Sequence, residues 1–414
     1  MKAMRDKARA LFALGVQAAL PEPALGKALK EHPLPGGRVH LLALGKAAPG
    51  MMAEALRHLP GPPASALVVT TEGSAEAAGS AALPGVEVLI SGHPVPDAAG
   101  EAAARRVEAM LAGLTPADHL VALISGGGSA LLPAPAAGIT LDDKAEVNRL
   151  MLASGLEITE MNLVRQQLSR LKGGGMLRAA GCPVVSYVLS DVIGDDPRVI
   201  ASGPTVAPIG DRAGARAVLE DAGLWDQIPE PVAALLSARA PEAPPLPPSE
   251  LHLVGSNRIS LEAMAAAEPG ARIVSDRLTG AVDRAAEEIL RAARRAEPGA
   301  VLLFGGETTV KVTGDGLGGR NQELALRVAM LGRDLAFDWV LLSGGTDGRD
   351  GPTDAAGGLV DSSSARRMRA LGVDPFQALA RSDSYHALAA DGDLLMTGAT
   401  GTNVADLQVF IKGT

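Results

Sequence analysis

The sequence predicts an α/β protein of two domains, each built on a mostly parallel sheet flanked by helices. Three observations carry that expectation. The chain has 414 residues, more than one core is expected to serve. Short runs that are apolar throughout end repeatedly in turns rich in Gly, Ser, Thr and Asp, and a helical pattern often follows. Strands without polar alternation are covered on both faces, as in doubly wound parallel sheets. A proline-rich stretch, "APEAPPLPPSE" from Ala240 to Glu250, can continue neither a helix nor a central strand. It sets the expected domains at 1–240 and 246–414.

Composition narrows the function classes. The chain is 47% hydrophobic and 21% charged, which fills cores and argues against disorder. A net charge of −9 with no basic stripe argues against a nucleic-acid partner, and an aromatic content of 2% argues against stacking platforms. No apolar run reaches the roughly 18 residues that span a bilayer, so no membrane partner is expected. The start, "MKAMRDKARALFALGVQAAL", places Met4, Leu11, Phe12, Gly15 and Ala19 on one stripe and reads as an amphipathic helix. A cytoplasmic protein is expected.

In chain order, "VHLLALGKAAPGMM" sets Lys46 at the end of an apolar strand, where its point charge suits a carboxylate or phosphate, or simply solvent. It is not the Gly-x-Gly-x-x-Gly of a dinucleotide site. His93 in "SGHPVPD" reads as a loop residue. In "LISGGGSALL" a strand feeds Ser125, Gly126, Gly127, Gly128 and Ser129 ahead of a helix; three glycines exceed the needs of a turn and favour anion binding. Asn162, Arg165 and Lys172 in "NLVRQQLSRLKGGG" fall at helical spacings and read as a solvated face. The lone cysteine, Cys182, reads as a small buried hydrophobe.

In "VLSDVIGDDPRVIASGPT" Asp191 ends a strand, where a carboxylate can hold Mg²⁺ or act as a base toward a hydroxyl, whereas Asp196 reads as a loop residue. Glu307 follows the strand of "VLLFGGETT". "GDGLGGRNQELALR" packs four glycines ahead of Arg320 and Asn321, implying close backbone approach to a ligand. "LLSGGTDGRDGPTDAAGG" offers Asp347, Asp350 and Asp354 without a calcium-loop pattern; a phosphate or Mg²⁺ site and a solvated loop are both open.

Together these motifs resemble the class II glycerate kinases, the MOFRL family. The matching segments run in order through nearly the whole chain, from "LGKAAPGM" and "SGHPVPD" through "LISGGGSALL", "NLVRQQLSRLKGG" and "VLSDVIGDDPRVIASGPT" to "FGGETTVKVTGDGLGGRNQELAL", "SGGTDGRDGPTDAAGG" and "TGATGTNVADLQV". "KGGGML" departs where an arginine commonly follows the glycine pair. The resemblance implies a Rossmann-like N-terminal domain, a smaller MOFRL-type C-terminal domain and a site between them. It implies ATP- and Mg²⁺-dependent phosphorylation of D-glycerate to 2-phosphoglycerate. The family's key basic residues match Lys46 and Arg320, with Asp191 as the third catalytic candidate. Ser125 to Ser129, Glu307 and Asn321 are assigned to the cofactor, and Asp191 and Asp347 to the metal. Two other readings are a hydroxypyruvate reductase using NAD(P)H, with Glu72 as a ribose contact, and a non-catalytic anion-binding regulator. The oligomeric state is open, a homo-oligomer included.

Overall fold

The computed structural model describes residues 1–77, 83–239 and 245–414, the side chain of Ala77 excepted. The chain divides into two compact units, one of residues 24–254 and one of residues 1–23 with 255–414.

The first unit carries a sheet of six strands, β1 (Arg38–Leu44), β2 (Ser65–Thr70), β3 (Glu87–Ile90), β4 (Asp118–Ser125), β5 (Val184–Leu189) and β6 (Ser249–Gly255), in the order β3-β2-β1-β4-β5-β6. The pairs β1/β2, β2/β3, β1/β4 and β4/β5 are parallel. Strand order therefore reverses between β1 and β4, the switch point where doubly wound sheets bind ligands. Leu42, Leu44, Leu120 and Ile124 are almost fully buried in the sheet's core, as uninterrupted apolar strands require. Between β4 and β5, helices Leu141–Ser154 and Ile158–Gln167 share a separate apolar cluster with helices Arg212–Asp221 and Glu230–Ser237.

The second unit carries β7 (Arg272–Ala281), β8 (Val301–Thr309), β9 (Trp339–Gly345), β10 (Gly357–Asp361), β11 (Leu394–Leu395) and β12 (Asp406–Lys412), in the order β11-β10-β9-β12-β8-β7. β7 and β8 are parallel, while β12 is antiparallel to both β8 and β9, and β10 to both β9 and β11. β8 and β9 thus run the same way, linked through helix Arg320–Leu331, and the last strand fills the gap between them. Local sequence reads each run as a buried strand but does not encode this insertion, so the antiparallel pairs are concentrated here. The fold is α/β; among the described strand pairs five are parallel and four, all in the second sheet, are antiparallel.

The boundaries differ from 1–240 and 246–414 at both ends. Helix Lys2–Ala18 belongs to the second unit: Gly15 lets it close on Met264 and Leu407, and Phe12 lies against Gly344. β6 extends the first sheet, so residues 246–254 stay with the first unit. Positions 240–244 of the proline-rich stretch lie outside the described residues. Among the described residues, no helix is long and apolar enough to cross a membrane.

Candidate functional site

The parallel sheet delivers its strand ends to one place. Gly45, at φ +118°, turns the chain out of β1; a Cβ there would lie 2.3 Å from Ser125 Oγ. The Lys46 N–H donates to the Gly126 carbonyl at 2.9 Å, tying the β1 turn to the β4 turn. Ser125 is fully buried; its hydroxyl accepts from the Ala47 N–H at 3.1 Å and donates to the Leu44 carbonyl at 3.3 Å. Ser125 thus ties the turn that presents Lys46 to the β4 strand end.

The three glycines divide by what they face. A Cβ on Gly126 would lie 2.0 Å from Asp191 Oδ2, and one on Gly128 would lie 2.9 Å from the Ala201 methyl. Both are closed on protein. Gly127, in the left-handed region at φ +84°, is partly open, with His93 and the Lys46 stem 3.2–3.3 Å from a notional Cβ. The helix that follows is only Gly128–Leu131, so the expected dipole contribution is slight and an anion must rely on side-chain cations.

Lys46, His93 and Asp191 converge on Gly126 and Gly127. Burial pushes the Asp191 carboxyl above its ordinary value, and the Lys46 charge pulls part of the way back. Burial lowers the His93 imidazole, and Lys46 lowers it further, so His93 is biased toward the neutral form. A cation, a neutral imidazole and a carboxylate nearer neutrality thus sit at the β1/β4 switch point. Asp196, by contrast, is held by Arg198 at 2.7 Å, as a loop residue would be. Cys182 lies in the sheet's core with its thiol raised by burial, as the composition implied.

Beside these strand ends lies a cavity of about 530 Å³ lined by His93, Gly127, Ser129, Lys144, Arg165 and Lys172 among others. Lys172 is buried and donates to the Ser129 carbonyl at 2.8 Å and the Ser129 hydroxyl at 2.7 Å. That hydroxyl is 2.9 Å from the Ser202 hydroxyl, which donates to Asn162. Arg165 donates to the Asn148 side-chain carbonyl and Lys144 to the Pro133 carbonyl. Of the expected solvated face, Arg165 and Lys172 are therefore cavity wall, and Asn162 is buried against Ser202. The spacing was visible in sequence, but not the burial, because the covering residues come from the turns after β3 and β4.

In the second unit Arg320 is already engaged. Its guanidinium donates to Asp406 at 2.7 and 3.0 Å and pairs with Glu307 at 2.8 Å. Burial works against the Arg320 charge, but Asp406 and Glu307 outweigh it and raise its pKa. Asn321 is buried; its side-chain carbonyl accepts from Ser343 at 2.6 Å and its backbone N–H donates to Asp350, so it shapes the helix start. Asp350 is buried and also accepts from the Gln322 N–H at 2.8 Å, so of the two open readings the solvated loop does not hold for it. Glu307 is exposed and Asp347 partly so, with one Asp347 oxygen accepting from the Arg349 N–H. The glycines ahead of Arg320 meet protein: a Cβ on Gly319 would lie 2.3 Å from the Asp350 carboxyl carbon, and one on Gly314 would lie 2.6 Å from Arg381. Among the described residues no three His, Cys, Asp or Glu side chains are grouped to hold a metal ion.

Comparison with known proteins identifies the lineage. Residues 7–237 match a domain of unknown function, DUF4147, and residues 300–406 match the MOFRL family. A D-glycerate 2-kinase of Thermotoga maritima is 38% identical, with 95% of each chain covered. The chain belongs to the class II glycerate kinases, the MOFRL family. The crystal structure of a glycerate kinase from Thermotoga maritima superposes with a TM-score of 0.91 at 36% identity, covering all of both chains. A protein of Agrobacterium vitis that carries a hydroxypyruvate reductase name is 41% identical, with 99% of this chain and 94% of the other covered.

Proposed function

We propose that this enzyme of the glycerate kinase family transfers the γ-phosphoryl group of ATP to the 2-hydroxyl of D-glycerate, giving 2-phosphoglycerate and ADP with Mg²⁺ present. The observation that carries the reading is the convergence of Lys46, His93 and Asp191 on Gly126 and Gly127 at the β1/β4 switch point. The glycerate oxygen attacks the γ-phosphorus, the bond to the β-phosphate oxygen breaks, and the hydroxyl proton passes to Asp191. A carboxylate raised toward neutrality suits that base role. Lys46 meets the charge on the transferring group, because phosphoryl transfer depends on positioning and charge neutralisation. Arg320 is assigned an anion of the reaction, with the exposed Glu307 the partner that gives way.

The residues suit Mg²⁺ as an ion brought by the nucleotide, since Mg²⁺ is commonly held by one or two carboxylates and substrate phosphates. Asp191 or Asp347 would supply the carboxylate, and the ion would neutralise phosphate charge. The reductase reading has the name of the Agrobacterium relative and the strand order behind it. Against it, the β1 turn carries Ala47 where the second glycine of a dinucleotide fingerprint belongs, although Glu72 does open the helix after β2.

The test incubates purified protein with ATP, Mg²⁺ and D-glycerate and follows the product by ³¹P NMR. NADH with hydroxypyruvate is followed in parallel by absorbance at the nicotinamide band. The expected product is 2-phosphoglycerate with no NADH consumed. Formation of 3-phosphoglycerate would overturn the assignment of the 2-hydroxyl, and NADH oxidation without phosphoryl transfer would replace the kinase reading by the reductase one.

A further inference from the structure

The structure points to the cationic cavity of the first unit as the nucleotide site, with Lys144, Arg165 and Lys172 holding the triphosphate and an apolar rim of Val95 and Leu152 covering the base. The inference rests on the kinase reading above. It assigns ATP to one unit and to residues that the sequence either read as a solvated face, Arg165 and Lys172, or did not single out, Lys144.

Three features converge on it. The first is charge without compensation. Lys144, Arg165 and Lys172 line one cavity whose lining includes no Asp or Glu, in a chain of net charge −9. Their hydrogen-bond partners are neutral: the Pro133 carbonyl, the Asn148 side chain and Ser129. Burying cations without carboxylates is costly, so a fold that does so holds them for an anion from outside. Burial, together with the neighbouring cations, lowers Lys144 to about 7 and Lys172 well below its ordinary value, and an anion between them would restore their charged forms.

The second feature is size and character. About 530 Å³ falls within the roughly 300–1,000 Å³ of small-molecule pockets and is far more than glycerate fills. Val95 and Leu152 line the same cavity yet are 69% and 59% exposed, an apolar surface without a protein cover. A hydroxy acid has nothing to place there, whereas a purine does. The third feature is continuity. Gly127 and His93 line the cavity and also touch the Lys46 site, so a phosphate chain held by the cations leads toward Lys46.

The experiment is calorimetric titration of the full-length protein with Mg²⁺-ATP, with inorganic triphosphate and, separately, with D-glycerate. Arg165→Gln and Lys172→Met are each expected to weaken ATP and inorganic triphosphate by about tenfold or more, as loss of a charge-assisted contact predicts. D-glycerate affinity should stay within about twofold of wild type. Leu152→Asn is expected to weaken ATP by about threefold and leave inorganic triphosphate unchanged, which separates base from phosphate. Circular dichroism melts establish that each variant is folded, and Arg165→Gln, at a half-buried position, carries the test if Lys172→Met does not fold. Wild-type ATP affinity in folded Arg165→Gln overturns the assignment. So does a loss of glycerate binding with ATP binding intact, which would make the cavity the carboxylate site. Absence of phosphoryl transfer by the wild-type protein would remove the kinase reading, while these titrations would still report whether ATP occupies the cavity.

Discussion

Two clusters, one in each unit, treat positive charge in opposite ways. In the first, Lys144, Arg165 and Lys172 line a cavity with only neutral partners, and Lys46 stands exposed beside it. In the second, Arg320 forms a two-bond fork on buried Asp406 and a further pair with Glu307, and Arg5 and Arg367 are likewise bound to Asp361 and Asp393. A cation paired with a buried carboxylate holds the fold, because removing it strands the partner. A basic side chain held only by carbonyls and hydroxyls has no carboxylate partner, and an incoming anion is what favours its charged form. The difference separates groups whose loss costs chemistry from groups whose loss costs stability.

The largest expected effect tests that separation directly. Lys46→Ala should lower turnover by about 10³, the loss expected for one transition-state charge partner, while its urea midpoint stays at the wild-type value because Lys46 is exposed. Arg320→Ala should also lower turnover, but it should destabilise the protein by about 3 kcal/mol because Asp406 is left buried and unpaired. Urea melts and steady-state assays on both variants give the comparison. A destabilised Lys46→Ala, or an Arg320→Ala with wild-type stability, would erase the distinction.

The sequence showed the strand ends more clearly than what surrounds them. Lys46, Gly126 and Asp191 were legible because each ends an apolar run, and parallel topology brings such ends together. Lys172 and Arg165 were misread because helical spacing shows that residues share a face but not what covers it. The opening strings of glycine were legible as close approach, yet the partner could not be read: Gly126 closes on Asp191 and Gly319 on Asp350, both contacts between distant segments. The insertion of β12 between β8 and β9 is a pairing choice made by the whole sheet, and no local pattern records it.

A smaller effect contrasts two buried carboxylates of the second unit. Burial raises both, but at Asp361 hydrogen bonds from Arg367, Ser363 and Arg5 win and bring its pKa below the usual range. Asp350 has neutral donors, the backbone N–H groups of Gln322 and Asn321 and a long contact from the Asn321 side chain, and a like charge at Asp406, offset by Arg320, and is pushed up to about 6. A folded pKa above the unfolded one means the native state binds more protons between pH 4 and 6. Asp350 thus favours folding below about pH 4 and loses that contribution as pH rises through about 6, a change of about 3 kcal/mol. Urea midpoints measured across this range should fall less steeply with pH in Asp350→Asn than in wild type. Parallel slopes in the two proteins would show that Asp350 keeps an ordinary pKa.

The smallest expected effect is the sharpest, because it sets neighbouring residues against each other. Gly126 and Gly127 look alike in sequence, yet a Cβ on Gly126 would strike Asp191, whereas one on Gly127 would point at His93 and the Lys46 stem beside the cavity. Gly126→Ala must therefore displace the carboxylate, and should lower turnover with ATP affinity within about twofold of wild type. Gly127→Val adds a branched side chain at φ +84°, where only glycine is relaxed, and crowds the mouth of the cavity. It should weaken ATP by about tenfold, the scale of one lost contact set. Paired calorimetry and turnover measurements read both variants. ATP affinity unchanged in Gly127→Val would mean that this glycine serves only its turn. An equal loss of ATP affinity in Gly126→Ala would mean that the loop moves as one piece, and the division between a glycine for the base and a glycine for the nucleotide would fall.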